Sequence, residues 1–159
     1  MNRDTLVNRP GIREHSRWNK ELTEDLVFYH PTYGTIVAPN GFHSDLASIR
    51  ALRDGAVFLA YVALVASYCF NPTTVYVAAG FAVALLTLYA TLAGYGDVAA
   101  ALHDWCYRKA KELDLTREQC DEIFWLALRA THHAKWRAGI FYWGVRVLAW
   151  PAWRQYQGK

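Results

Sequence analysis

Apolar residues are unevenly distributed along this chain, and most of them lie in one uncharged block. No Asp, Glu, Lys or Arg occurs between residues 55 and 96, whereas charged residues are frequent on both sides. Asn71-Pro72-Thr73-Thr74 divides the block into two apolar segments, a shorter one from Ala56 to Phe70 and a longer one from Val75 to Tyr95. At about 1.5 Å of rise per residue, the longer segment can cross a hydrocarbon core of about 30 Å. The block therefore predicts a transmembrane helical hairpin.

Basic residues flank this hairpin on both sides. Arg50 and Arg53 precede it, and Arg108, Lys109 and Lys111 follow it, while the connection between its two halves is uncharged. Since positive charge concentrates on the cytoplasmic side of membrane proteins, both termini are expected in the cytoplasm. A lipid bilayer is then the main partner. The alternative is a helical hairpin that is buried inside a soluble protein.

The region before the block has the pattern of short strands. Leu26-Val27-Phe28-Tyr29 and Thr35-Ile36-Val37 are rich in β-branched and aromatic residues, and Pro31-Thr32-Tyr33-Gly34 separates them. Such runs with a turn sequence between them predict a β-hairpin. A second turn, Pro39-Asn40-Gly41, leads to Phe42 through Ser48.

The region after the block has helical periodicity. A first helix is expected to be capped by Asp97 and to run through His103 and Tyr107 toward Lys109 or Lys111. Thr116-Arg117-Glu118-Gln119 has the pattern of a capping box and opens a second helix. A third helix is expected to end at Pro151. Its apolar stripe consists of Trp136, Ile140, Trp143, Val147 and Trp150, which is more typical of a core than of a lipid anchor.

These elements predict an α+β fold that is mainly helical. Residues 1–54 and 97–159 are expected to form one extramembrane domain, and the hairpin of residues 55–96 is expected to be an insertion in it. Lys and Arg exceed Asp and Glu by only 17 to 14, and no basic run occurs, so nucleic acid is not an expected partner. Three cysteines, Cys69, Cys106 and Cys120, do not form a disulfide framework.

His103-Asp104-Trp105-Cys106-Tyr107 carries the candidate chemistry. This pentad resembles the His-Asp-x-Cys-Tyr signature of the phospholipases A2, in which a His directs water at an ester, the next Asp binds calcium and a second Asp orients the His. The resemblance implies that His103 and Asp121 are catalytic and that Asp104 is a calcium ligand. The bacterial members add an Asp-Leu pair, which implies that the Asp45 side chain and the Leu46 carbonyl complete the Ca²⁺ site. The cysteines that precede the His in the family are replaced by Ala99-Ala100.

A second resemblance covers residues from about Trp18 to Trp150. It rests on four separated motifs, Gly41 to Ile49, His103 to Arg108, Arg117 to Phe124, and Trp136-Arg137 with Tyr142 to Arg146. Together they are similar to a phage family known as domain of unknown function 1353. This resemblance implies a phage or prophage protein, located in the host inner membrane or associated with the virion, and implies no activity. The apolar hairpin stands where relatives have a short connector.

The geometry of the expected helices sets a condition on the catalytic pair. Calcium prefers carboxylate, carbonyl and water oxygens, so Asp45, Leu46 and Asp104 are a minimal set for it. A neutral His103 can take a proton from water if Asp121 holds its other ring nitrogen. His103 and Asp121 meet only if the first helix ends near Lys109 to Lys111 rather than at Leu113.

Two other functions remain open at this point. The first is a non-catalytic membrane or virion component of a phage, which would bind other phage proteins or associate with itself. The second is a zinc-dependent cell-wall hydrolase in which His132 and His133 join His103 and an Asp. Their spacing matches no zinc motif, so an exposed helix end is the simpler interpretation of the two histidines.

Overall fold

The computed structural model describes residues 5–16, 19–68, 72–92 and 96–157. Within these residues, six strands precede six helices. The strands are β1 (Leu6–Val7), β2 (Ile12–Ser16), β3 (Asn19–Leu22), β4 (Leu26–His30), β5 (Gly34–Ala38) and β6 (His43–Ser44). The helices are α1 (Ala47–Tyr68), α2 (Pro72–Leu92), α3 (Asp97–Arg108), α4 (Arg117–Ala130), α5 (Lys135–Leu148) and α6 (Trp150–Gln157). The α+β class and the predominance of helix agree with the sequence prediction.

The strands form two antiparallel sheets of three strands each. One has the order β1-β4-β5 and contains the predicted hairpin, in which Phe28 pairs with Ile36. Side chains of β4 alternate between buried and exposed, because successive residues of a strand point to opposite faces. Gly34 closes the turn with a φ of 69°, which suits glycine best. The hairpin prediction is confirmed.

The second sheet has the order β2-β3-β6 and was not predicted. Its strands are short and mostly polar, with the sequences IREHS, NKEL and HS. The β3 strand also reaches the helical part of the molecule, because Lys20 Nζ contacts Asp97 Oδ2 of α3 at 2.5 Å. This sheet is therefore linked to the helix that carries the His-Asp motif.

The α3 and α4 helices pack against each other and follow the sequence prediction closely. The capping box of α4 is confirmed: Gln119 N donates to Thr116 Oγ1, and Thr116 N donates to Gln119 Oε1. The predicted cap of α3 is wrong, because Gly96 is the N-cap residue and no side chain caps the helix. Asp97 lies in the first turn instead, where its negative charge suits the helix dipole.

Of the apolar stripe predicted for the third helix, Ile140 is partly buried against the core and the other four residues face outward. Trp136, Trp143, Val147 and Trp150 are all about half exposed or more. The buried face of α5 instead consists of Ala138, Phe141 and Val145. This face packs on α4 and α1. The expected end at Pro151 is wrong as well, since α5 ends at Leu148 and Pro151 lies in the first turn of α6, where proline is tolerated.

The uncharged block does form two helices, but the transmembrane prediction is wrong. Among the described residues, no helix combines the length and the apolar character that crossing a bilayer requires. The α1 helix begins at Ala47, so its first two turns contain Arg50, Arg53 and Asp54. The α2 helix has no charge but intersperses Thr, Tyr and Gly among its apolar residues. The prediction rested on segment length and missing charges and overestimated the apolar character of the two helices, so the inserted membrane hairpin and the host-membrane location with cytoplasmic termini are both wrong.

The hairpin is not fully buried in protein either. Its two helices pack on each other, and α1 also packs on α5, where a Cβ added at Gly55 would lie 2.9 Å from Leu148 Cδ1. Further along, Phe58, Tyr61, Tyr76 and Val77 are each more than 60% exposed. The predicted boundary residues Phe70, Asn71 and Tyr95 lie outside the described residues.

One hydrophobic core joins the strands to the helices. Leu26 and Phe28 of β4 belong to the same buried cluster as Leu102 of α3, Phe124 of α4 and Phe141 of α5. Residues before and after the α1–α2 hairpin therefore share a core. This core surrounds the candidate site on α3 and α4.

Candidate active site

His103 and Asp121 are in direct contact at the interface of α3 and α4. His103 Nε2 lies 2.9 Å from Asp121 Oδ1, and both side chains are completely buried. The contact is geometrically accessible because α3 ends at Arg108, and the chain then turns through residues 109–116 before α4 begins. The condition that the sequence analysis placed on the pair is met.

Tyr107, one helical turn after His103, also contacts Asp121. Its hydroxyl donates to the same Asp121 oxygen at 2.6 Å, and its ring centroid lies 4.1 Å from that of His103. Burial and the neighbouring carboxylate raise the pKa of the Tyr107 hydroxyl, so it remains a donor at neutral pH. Sequence reasoning assigned no role to Tyr107, although its spacing of four residues from His103 places both on one helix face.

Two arginines approach the other oxygen of Asp121. Arg146 Nη1 of α5 lies 3.3 Å from Asp121 Oδ2, and Arg117 Nε of α4 lies 3.8 Å from it. Burial alone would raise the pKa of Asp121, but the hydrogen bonds from His103 and Tyr107 and the charge of Arg117 hold it below its ordinary value. Asp121 is therefore a buried carboxylate that stays ionised at neutral pH.

The orientation of the His103 ring follows from these contacts. The ring is packed against Phe124, with centroids 5.0 Å apart. Since Asp121 is an ionised acceptor, the proton of a neutral His103 is placed on Nε2, and Nδ1 then carries the lone pair. This arrangement is the one that general-base chemistry requires of a histidine.

Asp104 points in a different direction from His103, as expected for neighbours on a helix. Ser44 Oγ of β6 donates to Asp104 Oδ2 at 2.5 Å, and the Leu46 amide donates to that Ser44 Oγ at 3.2 Å. Burial raises the pKa of the Asp104 carboxyl to about 6; the Ser44 hydrogen bond opposes this rise, and the charge of Asp45 adds to it. The loop after β6 and the α3 helix therefore meet at Asp104.

Asp45 is half exposed and opens onto solvent. Its Oδ1 lies 3.5 Å from Arg108 Nη2, and the Arg108 guanidinium also stacks over the Phe42 and Tyr156 rings. Beside this pair lies an open cleft of about 620 Å³. The cleft is lined by Asp45, Arg108, Lys111, Glu112, Gln155 and Tyr156.

The proposed calcium ligands fit a cation only in part. The carboxylates of Asp45 and Asp104 are close enough to repel each other, and a divalent cation would relieve that repulsion. The Leu46 carbonyl is less suitable, because it already accepts the Arg50 amide at 2.9 Å in the first turn of α1. Leu46 itself has a φ of 49°, which turns the backbone sharply between Asp45 and this helix. Of the three predicted calcium ligands, the two carboxylates are therefore more suitable than the Leu46 carbonyl.

The zinc site suggested with His132 and His133 is not assembled. His133 lies at an outer groove with Arg9, Gly96 and Trp136, whereas His103 is in the core. Among the described residues, the only group of three or more His, Cys, Asp or Glu ligands close enough to share a metal ion contains none of these histidines. Cys106 and Cys120 are free and buried, consistent with the absence of a disulfide framework; Cys69 lies outside the described residues.

Comparison with known proteins gives one match. The family described as "Protein of unknown function (DUF1353)" matches residues 62–145, a region that contains His103, Asp104, Tyr107 and Asp121. No curated protein and no solved structure matches the chain. Because the match covers more than half of the chain, this protein belongs to the DUF1353 family.

Proposed function

We propose that this protein is a calcium-dependent hydrolase of the phospholipase A2 type, which directs a water molecule at a phospholipid ester. The main support is the contact between His103 Nε2 and Asp121 Oδ1, which is 2.9 Å long and completely buried. A histidine held in this way by an ionised carboxylate is a common general base. The adjacent Asp104 supports the proposal, since it places a second carboxylate next to the base.

The chain's own residues would divide the work as follows. His103 Nδ1 takes a proton from the attacking water, and Asp121 stabilises the imidazolium that results. Tyr107 and Arg146 hold the Asp121 carboxylate through separate oxygens, so it does not rotate away from the ring. His103 later returns the proton to the leaving alkoxide. This completes hydrolysis into a fatty acid and a lysophospholipid.

Asp45 and Asp104 would hold the calcium ion. When bound, Ca²⁺ would polarise the ester carbonyl and stabilise the negative charge that develops on its oxygen. Asp104 is held in place by Ser44, whereas Asp45 pairs with Arg108 and is half exposed. We therefore expect Asp104 to be the preformed ligand and Asp45 to exchange Arg108 for the ion.

The cleft beside Asp45 supports an anionic substrate. Its wall carries two cations, Arg108 and Lys111, and two carboxylates, Asp45 and Glu112; a calcium ion held by Asp45 would leave the positive charges in excess. Such charges suit a phosphate group, which prefers arginine in particular. The phosphodiester of a phospholipid would thus lie outside the core while its ester approaches the buried base.

The test is calcium-dependent release of fatty acid from phospholipid and detergent mixed micelles. We expect turnover in the wild type, loss on chelation, and a loss of at least about 100-fold in His103→Gln, since general-base catalysis contributes about 10²- to 10⁴-fold. The matched control is His132→Gln, which changes an exposed histidine outside the site and should retain activity. A wild type that is inactive on several head groups at millimolar calcium contradicts the proposal.

Two further variants separate binding from turnover. Asp104→Asn should weaken calcium activation and be partly rescued by excess metal, because it removes one ligand charge. Asp121→Asn should lower kcat more than calcium affinity, because it changes the tautomer and orientation of His103. Equal loss of both quantities in both variants would indicate unfolding rather than these roles, and circular dichroism would distinguish the two causes.

A second candidate is a non-catalytic component of a phage particle or assembly, which would bind other phage proteins or further copies of this chain. The complete burial of His103 and Asp121 favours it, since a buried pair with satisfied partners can serve to fix the core. On this alternative, His103→Gln lowers thermal stability and no lipid hydrolysis or calcium binding is detected. Calorimetry with CaCl₂ on the full chain therefore discriminates between the two functions.

A further inference from the structure

Three potential metal ligands meet on one face of the β2-β3-β6 sheet, outside the candidate active site. They are His15 of β2, Glu21 of β3 and His43 of β6. Their ligand atoms all lie within 4.8 Å of one another, and both histidines are exposed. Tetrahedral donors with bonds of about 2.0–2.2 Å lie about 3.3–3.6 Å apart, so small side-chain rotations would bring these three atoms around a single ion.

Strand register brings the three residues together. Glu21 pairs directly with His43 across β3 and β6, and it pairs with Arg13 across β2 and β3. His15 lies two residues beyond Arg13 and so shares its face, diagonal to Glu21. The pairing of β2 with β3 shifts register between Glu14 and Ser16, so His15 lies at an irregular position of the strand. None of this is visible in the sequence, where the three residues lie 6 and 22 positions apart.

The contacts around the cluster already orient its donors. His15 Nε2 lies 2.6 Å from Glu21 Oε2, and the two histidine rings are 5.3 Å apart. His43 Nδ1 lies 3.2 Å from the side-chain oxygen of Asn19, an acceptor that places the proton on Nδ1. The Nε2 lone pair is then available as a ligand. Metal-binding histidines are typically fixed by such a bond from the opposite ring nitrogen.

We propose that His15, Glu21 and His43 form a binding site for a divalent transition-metal ion, with Zn²⁺ as the best fit. Two imidazoles and one carboxylate are a common zinc ligand set, and a fourth position remains for water because the site faces solvent. Calcium and magnesium fit poorly, since both prefer oxygen ligands. On binding, the hydrogen bond between His15 and Glu21 is exchanged for two bonds to the ion.

Arg13 places a positive charge against this cluster. Its Nη1 lies 3.4 Å from Glu21 Oε2, the same oxygen that His15 contacts. The arginine side chain is largely exposed and is free to swing toward solvent when an ion takes its place. Arg13 therefore competes with the metal, and its removal is expected to strengthen binding.

The experiment is a titration of the full, chelator-treated chain with ZnCl₂, followed by calorimetry. We expect one ion per chain, and a loss of affinity of about tenfold or more in His15→Ala, Glu21→Gln and His43→Ala. Arg13→Ala should bind more tightly than the wild type. A parallel titration with CoCl₂ should produce the visible absorption of four-coordinate cobalt, and the three ligand variants should lose it.

The controls separate this site from the others in the chain. His132→Ala removes an exposed histidine outside the cluster, and His103→Gln removes the proposed general base; both should bind Zn²⁺ like the wild type. A wild type that binds no zinc, or three ligand variants that bind it unchanged, overturns the proposal. Thermal unfolding without metal checks that each variant is folded, and the zinc-dependent rise in Tm should vanish only in the three ligand variants.

Discussion

In both helix pairs of this protein, the burial of the side chains is the opposite of what the amino-acid composition indicates. The α1–α2 pair carries no charged residue after Asp54 in the chain. Its large apolar side chains, such as Phe58 and Tyr76, are mostly exposed. In α3–α4, the ionisable residues His103, Asp104 and Asp121 are at most 1% exposed. The most apolar part of the sequence is thus at the surface, and the most ionisable cluster is in the core.

The difference shows that pairing, rather than hydropathy, decides which groups can be buried. A helix hairpin with apolar residues on every face can bury only the sides that meet another element, and the rest stays exposed. A buried charge is tolerated when every oxygen and nitrogen has a partner. Asp121 meets this condition with contacts from His103, Tyr107 and Arg146. Three substitutions test the contrast, beginning with the largest effect.

Removing the buried carboxylate should cause the largest change. We expect Asp121→Ala to lower the free energy of unfolding by about 3–5 kcal/mol, because it leaves His103, Tyr107 and Arg146 without their common acceptor. The matched control is Glu118→Ala, which also removes a partner of Arg146, at 3.4 Å, but from an exposed side chain. That variant should change stability by about 0.5 kcal/mol or less. Urea denaturation measures both, and equal effects would show that burial of the pair is unimportant.

Neutralising Asp104, the second buried carboxylate, should instead raise the free energy of unfolding. The pKa of Asp104 is about 6 in the folded protein against 3.8 ordinarily, so folding disfavours its charged form. Below pH 3.8, Asp104 is protonated in both the folded and the unfolded protein, so its burial does not lower the free energy of unfolding. The loss of stability grows between pH 3.8 and about 6 and is complete above that range. Asp104→Asn, which keeps the bond to Ser44, should therefore raise the free energy of unfolding by up to about 3 kcal/mol at pH 7 with chelator present.

The pH dependence distinguishes this explanation from a general packing effect. The gain of Asp104→Asn should fall to nearly nothing at pH 3.5, below the ordinary pKa of 3.8. Asp45→Asn is the control, because it removes the charge that repels Asp104 and should give a smaller gain of the same sign. Urea denaturation across this pH range provides the measurement. A variant that is less stable than the wild type at pH 7 contradicts the prediction.

The smallest effect is expected on the exposed face of the uncharged hairpin. Phe58→Ala removes a ring that is 66% exposed, so the free energy of unfolding should change by about 0.5 kcal/mol or less. Phe141→Ala removes the same ring from the core, where it packs edge-on against Phe124, and should cost about 3–5 kcal/mol. A large loss in Phe58→Ala would mean that this face is covered by something else in solution.

Local signals in the sequence were reliable where a few neighbouring residues determine the structure. The capping box at Thr116 and Gln119 and the turn between β4 and β5 each depend on four consecutive residues. The contact between His103 and Asp121 required only the end of α3 and the start of α4. A resemblance to a known motif therefore identified the pair, although it assigned no role to Tyr107 or Arg146.

Features that depend on distant parts of the chain were missed or misjudged. The β2-β3-β6 sheet has no hydrophobic alternation, and its His15, Glu21 and His43 cluster exists only through cross-strand register. The tryptophan stripe of α5 was assigned to the core because aromatic residues usually are buried. The face that is buried instead consists of Ala138, Phe141 and Val145. The hairpin was assigned to a membrane from its length and its lack of charge, although no described helix is apolar enough to span one.

The hydrogen bond between Ser44 and Asp104 joins residues 60 positions apart, with the whole α1–α2 hairpin between them. The chain leaves this contact after Leu46, forms the hairpin, and returns at Asp97. The entropy of closing such a loop grows only with the logarithm of its length, by about 0.6 kcal/mol for each doubling. Lengthening or shortening the outer turns of the hairpin therefore costs little, and evolution could vary them while the geometry around Asp104 stays fixed.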